Sequence, residues 1–157
     1  MELEKRIRLD LNSAMFAKRE SEVSVLRQIL AAVLNKEKEK RFKSKEEKEA
    51  HLTDEEFMEV IFSEARKRRE AIDLFIKGGR ANLAEKEKEE LEILEKYMPE
   101  QMAAEEIKKL AGEAITKVGA KEIKDMGRVM AELMPKTKGR VDGNLVGNIV
   151  KELLVGR

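Results

Sequence analysis

The chain has 157 residues, with 33 Lys and Arg against 32 Asp and Glu, which gives a formal net charge of +1. A dedicated nucleic-acid-binding protein usually has a strong excess of basic residues, and this chain does not. It contains no Cys, which excludes disulfides, thiolate metal sites and a Cys nucleophile, and its one His, His51, excludes a His-rich metal site. No apolar run approaches the ~20 residues of a membrane span, and the N-terminus lacks the apolar core of a signal peptide, so we expect a cytoplasmic protein with no membrane partner.

Charged residues make up 41% of the chain, aromatic residues 4%, and Pro occurs twice. Helix-forming residues dominate and runs of β-branched residues are missing, which predicts an all-α protein.

The first two predicted helices form a hairpin. Leu3, Ile7, Leu11 and Met15 recur every four residues and predict a helix from about Glu2 to Arg19. Ser21 is a candidate N-cap for a second helix from Glu22 to about Lys40. Its apolar positions are Val23, Leu26, Ile29, Leu30, Val33 and Leu34. The short break between the two helices suits an antiparallel pair.

The next segment breaks the apolar pattern. Between Lys36 and Lys45 lie six cations and two Glu, and Phe42 is its one apolar residue. We interpret residues from about Lys38 to His51 as a mobile or frayed, solvated connection rather than a binding arm.

A third helix is predicted to begin at the capping box of Thr53 and Glu56 and to end at Gly78 and Gly79. Its apolar stripe comprises Phe57, Val60, Ile61, Ala65, Ile72 and Phe75. Glu64 and Arg68 fall within this stripe and are four residues apart, so we predict a buried structural ion pair between them.

A fourth helix is predicted from a cap at Asn82 to the residue before Pro99, with the six consecutive charges of Glu85 to Glu90 on its surface. Pro99 is the predicted boundary between an N-terminal helical domain (1–98), built of the hairpin and two further helices, and a C-terminal three-helix domain (99–157). The three C-terminal helices are predicted at about Ala104–Val118, at about Ile123–Met134 ending at Pro135, and from an N-cap at Asp142.

Several separated motifs, in order along nearly the whole chain, resemble the YqeY family, which is also called the GatB/YqeY domain. The motifs are Leu52–Glu56, Arg68–Glu70, Lys77–Arg80, Tyr97–Gln101, Asp125–Met130 and Lys138–Gly143. The C-terminal half of this family is similar to the tail domain of the B subunit of glutamyl/aspartyl-tRNA amidotransferase. The resemblance implies two helical domains, and it implies tRNA association, because the amidotransferase tail helps hold the body of the tRNA.

No residues of this chain correspond to the active sites of that amidotransferase, which lie in other domains. No P-loop or dinucleotide fingerprint occurs, and no Ser lies in a Gly/Ser-rich loop suited to an amidase. We therefore expect no catalytic residues, no cofactor and no metal. The expected partners are tRNA or a protein complex that handles aminoacyl-tRNA.

A basic loop before the last helix is the candidate RNA surface. From Lys121 to Arg140 there are six cations and three acids. The candidate contacts are Lys124, Arg128, Lys136, Lys138 and Arg140. The start of a helix attracts phosphate, although Asp142, if it caps the helix, occupies those N–H groups. The loop has no aromatic residue, so it suits the RNA backbone rather than bases.

Two alternatives stay open. The resemblance also allows an amidotransferase-associated protein, linked to carbon–nitrogen ligation with glutamine as the amide-nitrogen donor. The charged helical hairpin alone would suit a protein-interaction adaptor that does not bind RNA.

Overall fold

The computed structural model describes residues 2–45, 50–100 and 102–156, and in these residues it contains α-helices, one 3₁₀ turn and no strand. The all-α prediction is confirmed. The helices are α1 (Glu2–Phe16), α2 (Glu20–Ser44), α3 (Asp54–Lys77), α4 (Ala81–Glu95), α5 (Ala104–Val118), α6 (Met126–Thr137) and α7 (Gly143–Val155), with the 3₁₀ turn at Ile123–Asp125. Contacts divide the chain into an N-terminal unit, Met1–Met98, and a C-terminal unit, Pro99–Arg157.

The N-terminal unit is built from two helical hairpins. Helix α1 packs against α2, α3 packs against α4, and α2 also contacts both α3 and α4. The interior holds apolar side chains from all four helices. The fully buried members with the largest side chains are Ile7, Leu26, Ile29, Phe57, Ile61, Phe62 and Leu94.

The turn between α1 and α2 differs from the prediction. Helix α1 ends at Phe16 rather than Arg19, because Lys18 adopts a left-handed conformation (φ 54°) that stops the helix. Arg19 occupies the N-cap position of α2 without a side-chain bond, and Ser21 lies inside the first turn. The predicted Ser21 cap is therefore wrong.

Helix α2 is also longer than predicted. It continues to Ser44, so the interpretation of residues from Lys38 onward as a frayed connection is wrong as far as Ser44; residues 46–49 of that segment lie outside the described residues. The Lys40 ammonium donates to Glu56 at 2.6 Å and to the carbonyl of His51 at 3.1 Å. These bonds to the start of α3 hold the last turns of α2 in place.

The capping box at the start of α3 is confirmed. Thr53 Oγ1 accepts from the Glu56 amide at 3.2 Å, and the Glu56 carboxylate accepts from the Thr53 amide at 2.8 Å. The Lys40 ammonium and the Thr53 amide hold the pKa of Glu56 below its ordinary value. Glu56 therefore joins the end of α2 to the start of α3.

The ion pair predicted between Glu64 and Arg68 has different partners. Arg68 is buried, 8% exposed, as the apolar stripe implies. Its guanidinium donates to Glu87 at 3.1 Å and also to Glu90, both of α4, and to Gln28 of α2. Glu64 instead accepts from Lys67 at 2.8 Å near the surface. The predicted pairing is wrong because the helix interface brings α4 carboxylates to Arg68, and a buried guanidinium needs a desolvated partner.

The same contact corrects the prediction for α4. Glu85 to Glu90 was expected on the surface, but Glu90 is 7% exposed and faces Arg68. Helix α4 also begins two residues earlier than the predicted cap at Asn82 implies, with Arg80 in the N-cap position and Asn82 inside the first turn. A run of charges on one helix therefore contains one residue that belongs to the interior.

Tyr97 ties the end of this unit back to α1. Its hydroxyl donates to Asp10 at 2.7 Å, and the Arg6 guanidinium lies 5.2 Å from the ring centre, a cation–π distance. Burial and the Asp10 carboxylate raise the pKa of Tyr97 well above its ordinary value. The folded protein therefore keeps the Tyr97 side chain as the neutral phenol.

Replacing Arg68 should test the buried network. We expect Arg68→Ala to lower the free energy of unfolding by about 3 kcal/mol or more, because Glu90 would stay buried without its cation. Glu64→Ala is the matched control and should cost less than about 1 kcal/mol, since its bond to Lys67 is near the surface. Urea unfolding of both variants measures this. Equal destabilisation by the two substitutions would contradict the assignment.

The C-terminal unit is a three-helix arrangement in which α5, α6 and α7 all contact one another. Its buried core is apolar and includes Ile107, Ile115, Val129, Leu133, Val146 and Val150. Gly119 adopts a left-handed conformation (φ 67°) and closes α5, as predicted.

The predicted end of the sixth helix is wrong. Helix α6 passes through Pro135 and ends at Thr137, while its predicted first turn, from Ile123, is the 3₁₀ turn. Pro135 is exposed, so the carbonyl of Ala131, which has no N–H partner at Pro135, faces the solvent side of the helix. Near a helix end this arrangement is tolerated.

Residues 99–157 are predicted to fold as an independent helical unit, because its three helices bury one another's apolar faces. Circular dichroism of this fragment should show a helical spectrum and a cooperative thermal transition. A random-coil spectrum would contradict this prediction and would mean that the core needs apolar cover from residues 1–98.

Candidate nucleic-acid interface

The turn between α6 and α7 presents its cations outward because alternate residues face inward. Thr137 and Val141 are buried, while Lys136, Lys138 and Arg140 are exposed. We call residues 136–140 the basic turn. The amides of Arg140 and Val141 both donate to the Thr137 carbonyl, at 3.0 and 3.1 Å.

Gly139 supplies the left-handed residue (φ 76°) that this tight turn needs. The backbone is therefore fixed from within, and the three long cationic side chains leave it on the solvent side. A fixed turn with outward cations presents positive charge without an ordering cost for its backbone.

The start of α7 is capped, as the sequence predicts. Asp142 Oδ1 accepts from the Asn144 amide at 3.0 Å. This bond occupies one of the free N–H groups and places a negative charge at the helix start, where a phosphate would otherwise be favoured. Any phosphate held near this turn must therefore be held chiefly by the cationic side chains.

Arg128 and Lys124 have partners within the unit. The Arg128 guanidinium donates to the Val118 carbonyl at 3.0 Å and to Asp125 at 2.7 Å, so it joins the end of α5 to the start of α6. Lys124 lies 3.4 Å from the Glu122 carboxylate and is well exposed. Both candidates therefore already have a bonding partner within the C-terminal unit.

Asp125 organises the 3₁₀ turn. Its carboxylate accepts from the amides of Lys121 and Glu122, at 2.9 and 3.2 Å, and from Arg128. The Lys121 amide, then Arg128, hold the pKa of Asp125 far below its ordinary value. In the sequence Asp125 is one acid among several cations, and in the structure it is the residue that positions Arg128.

Glu132 is the remaining acid of this surface. Its carboxylate accepts from Lys117 Nζ of α5 at 2.5 Å, and this bond, with the charges of Lys117 and Lys136, lowers the pKa of Glu132. Glu122, Asp125 and Glu132 are thus each matched by a cation. Residues 121–140 hold six cations and three acids, and three of these cations lie in the basic turn.

The family of the chain follows from comparison with known proteins. The family model for Yqey-like proteins matches residues 4–154. The chain therefore belongs to the YqeY family, and the resemblance inferred from its motifs is confirmed.

Two relatives share a name, altered inheritance of mitochondria protein 41, mitochondrial. The chain is 33% identical to that of Eremothecium gossypii over 92 residues, which cover 59% of this chain and 46% of the relative. It is 30% identical to that of Saccharomyces cerevisiae over 130 residues, which cover 79% of this chain and 66% of the relative. The matches thus span from about half to nearly two thirds of the relatives' length.

The word mitochondrial in those names describes the relatives, and the cytoplasmic location expected from this sequence stays a prediction. In the described residues, no helix is long and apolar enough to cross a membrane.

Asp125→Asn should destabilise the chain near neutral pH by removing the ionised acceptor of the 3₁₀ turn. Because folding lowers the pKa of Asp125 from its ordinary 3.8, its stabilising effect is present above that pH and is lost as the pH falls. The difference in melting temperature between the variant and the unchanged chain should therefore shrink below about pH 4.

Glu113→Gln is the matched control for this measurement, because Glu113 is an exposed acid of α5 outside the 3₁₀ turn. It should change the melting temperature much less. If the difference in melting temperature between Asp125→Asn and the unchanged chain stays constant across this pH range, the role of Asp125 is contradicted.

Proposed function

We propose that the C-terminal unit is a non-catalytic module that associates with tRNA and holds phosphates of its backbone at the basic turn. The observation that carries this proposal is the outward alternation of Lys136, Lys138 and Arg140 on a turn whose backbone is fixed from within. Backbone phosphates supply most of the electrostatic affinity of RNA and DNA for proteins, and exposed cations are the groups that neutralise them.

The composition of the unit favours phosphate contacts over base contacts. No Phe, Tyr or Trp follows Tyr97 in the sequence, so this unit has no aromatic ring on which an unpaired base can stack. Phosphate contacts position an RNA but carry no sequence information themselves. The module should therefore bind tRNAs with little preference among their sequences.

The alternatives from the sequence have less support. Carbon–nitrogen ligation by this chain would need a side chain that is activated as a nucleophile or base. The one imidazole of the chain, His51, is exposed, and its Nδ1 lies 3.5 Å from the Glu37 carboxylate. Association with an amidotransferase remains compatible with family membership, because such a partner would supply the chemistry. A protein-interaction role finds its support in the N-terminal unit, on α2.

A triple variant tests the proposal. Replacing Lys136, Lys138 and Arg140 by Ala should weaken binding of bulk tRNA by about tenfold or more at low salt. The slope of log affinity against log salt should flatten by about one unit for each phosphate that the variant no longer neutralises. Thermal stability should barely change, because the three side chains are exposed. Gel shifts across a salt series measure both the affinity and the slope.

The matched control replaces three exposed lysines of the N-terminal unit, Lys5, Lys86 and Lys96, by Ala. It changes the net charge equally and should leave the affinity within about twofold and the salt slope nearly unchanged. If the triple variant of the basic turn keeps its affinity and slope, or if the control is weakened as much, the proposal fails.

A further inference from the structure

The outer face of α2 carries a stripe that the core does not use. Leu34, Lys38, Arg41 and Phe42 follow one another at intervals of four, three and one residues, and the exposed C-cap residue Lys45 comes just after the helix. At about 100° per residue the four helical positions fall within roughly a third of the helix circumference. They lie away from the face of Leu26, Ile29 and Val33, which is buried. We call these residues, with Lys45, the α2 outer stripe.

The two apolar members of the stripe are left to solvent. Phe42 is 86% exposed and Leu34, which the sequence predicts in the core, is 50% exposed. They are eight residues apart, about 12 Å along the helix. An open groove of about 280 Å³ is lined by Leu34, Glu37, Lys38, Arg41, Ala50 and His51, and the Glu37 carboxylate in it accepts from the Leu52 amide at 3.4 Å. Apolar groups of this size gain free energy when a partner covers them.

Among the described residues, the cations of the stripe form no ion pair. On the other side of α2, Lys36 pairs with Glu39 at 3.4 Å and Lys40 pairs with Glu56. In the part of the chain that the structure describes, Lys38, Arg41 and Lys45 lie within ion-pair distance of no carboxylate. The stripe therefore alternates exposed apolar side chains with exposed cations.

We propose that the α2 outer stripe docks an acidic amphipathic helix of a protein partner. Such a helix with two apolar residues seven or eight positions apart would place them on Leu34 and Phe42, since both helices rise about 1.5 Å per residue. Acidic residues between and beside them would meet Lys38, Arg41 and Lys45. Opposite charges set the orientation and exclude basic partners, while the apolar contacts supply the affinity.

The order of residues in the stripe favours a protein over an RNA or a membrane. An RNA backbone would neutralise the cations and a base would stack on Phe42, but Leu34 would stay uncovered. A membrane-surface helix keeps its cations on the polar side, whereas Lys38 stands between Leu34 and Phe42 and would be drawn toward the acyl chains with them. A helix with its own alternation of apolar and acidic groups matches both kinds of residue.

The test uses the isotope-labelled full chain and a synthetic capped peptide. The peptide has fifteen residues of Ala, Glu and Leu, with two Leu seven positions apart on one helical face and Glu beside them. NMR titration should shift the amides of residues 34–45. Leu34→Ser with Phe42→Ser, and separately Lys38→Gln with Arg41→Gln, should each weaken binding by about tenfold. All four side chains are exposed, and the fold should survive.

The matched control is Leu9→Ser with Phe16→Ser, which removes an apolar pair of similar exposure, seven residues apart on α1. It should leave peptide affinity within about twofold. A peptide with Gln in place of Glu should bind at least about tenfold more weakly.

Absence of shifts in residues 34–45 would overturn the proposal, and so would equal affinity for the Gln peptide. Oligouridylate and vesicles of phosphatidylcholine with phosphatidylserine are titrated in parallel. If either shifts these amides while the peptide does not, the surface serves an RNA or a membrane and the proposal is wrong. Neither result bears on the basic turn of the C-terminal unit, so the two proposals fail or stand separately.

Discussion

The N-terminal unit depends on a single buried guanidinium. Arg68 of α3 bonds Glu87 and Glu90 of α4 and Gln28 of α2, so three helices meet at one side chain. A buried cation is tolerated only with a desolvated partner, and this requirement fixes the register of α4 against α3 and the rotation of α2 about its axis. On α2, Leu26, Ile29 and Val33 are buried, whereas Leu34 and Phe42 are left in solvent.

Local features of the fold were predictable from the sequence, and contacts between distant residues were not. Apolar spacing located the helices, and the Thr53–Glu56 box and the Asp142 cap were found because they involve residues two or three apart. Glu90, a partner of Arg68, lies 22 residues away on another helix. The four-residue spacing within α3 therefore indicated Glu64 instead. The length of α2 was missed for the same reason, since Lys40 bonds Glu56 of another helix. In the candidate site, the exposure of the basic turn was expected, but the bond of Arg128 to the Val118 carbonyl could not be read from a helix pattern.

The two units present different chemistry to their surroundings. The basic turn has three outward cations and belongs to a unit without Phe, Tyr or Trp in its sequence, a composition that suits phosphates. The α2 outer stripe interleaves cations with exposed Leu34 and Phe42, which suits a partner that has apolar side chains of its own. The YqeY family model extends over residues 4–154 and so includes both surfaces. A module with one RNA-facing and one protein-facing surface would connect a tRNA to a protein assembly without performing chemistry itself.

The most direct test of the central claim is an NMR titration of the labelled full chain with bulk tRNA at low salt. Contact of phosphates with the basic turn predicts that the largest shifts occur at the amides of residues 136–141 and at the Arg140 side chain, and that they disappear as salt is raised. Shifts confined to residues 2–98, or a spectrum unchanged by tRNA at low salt, would contradict the account.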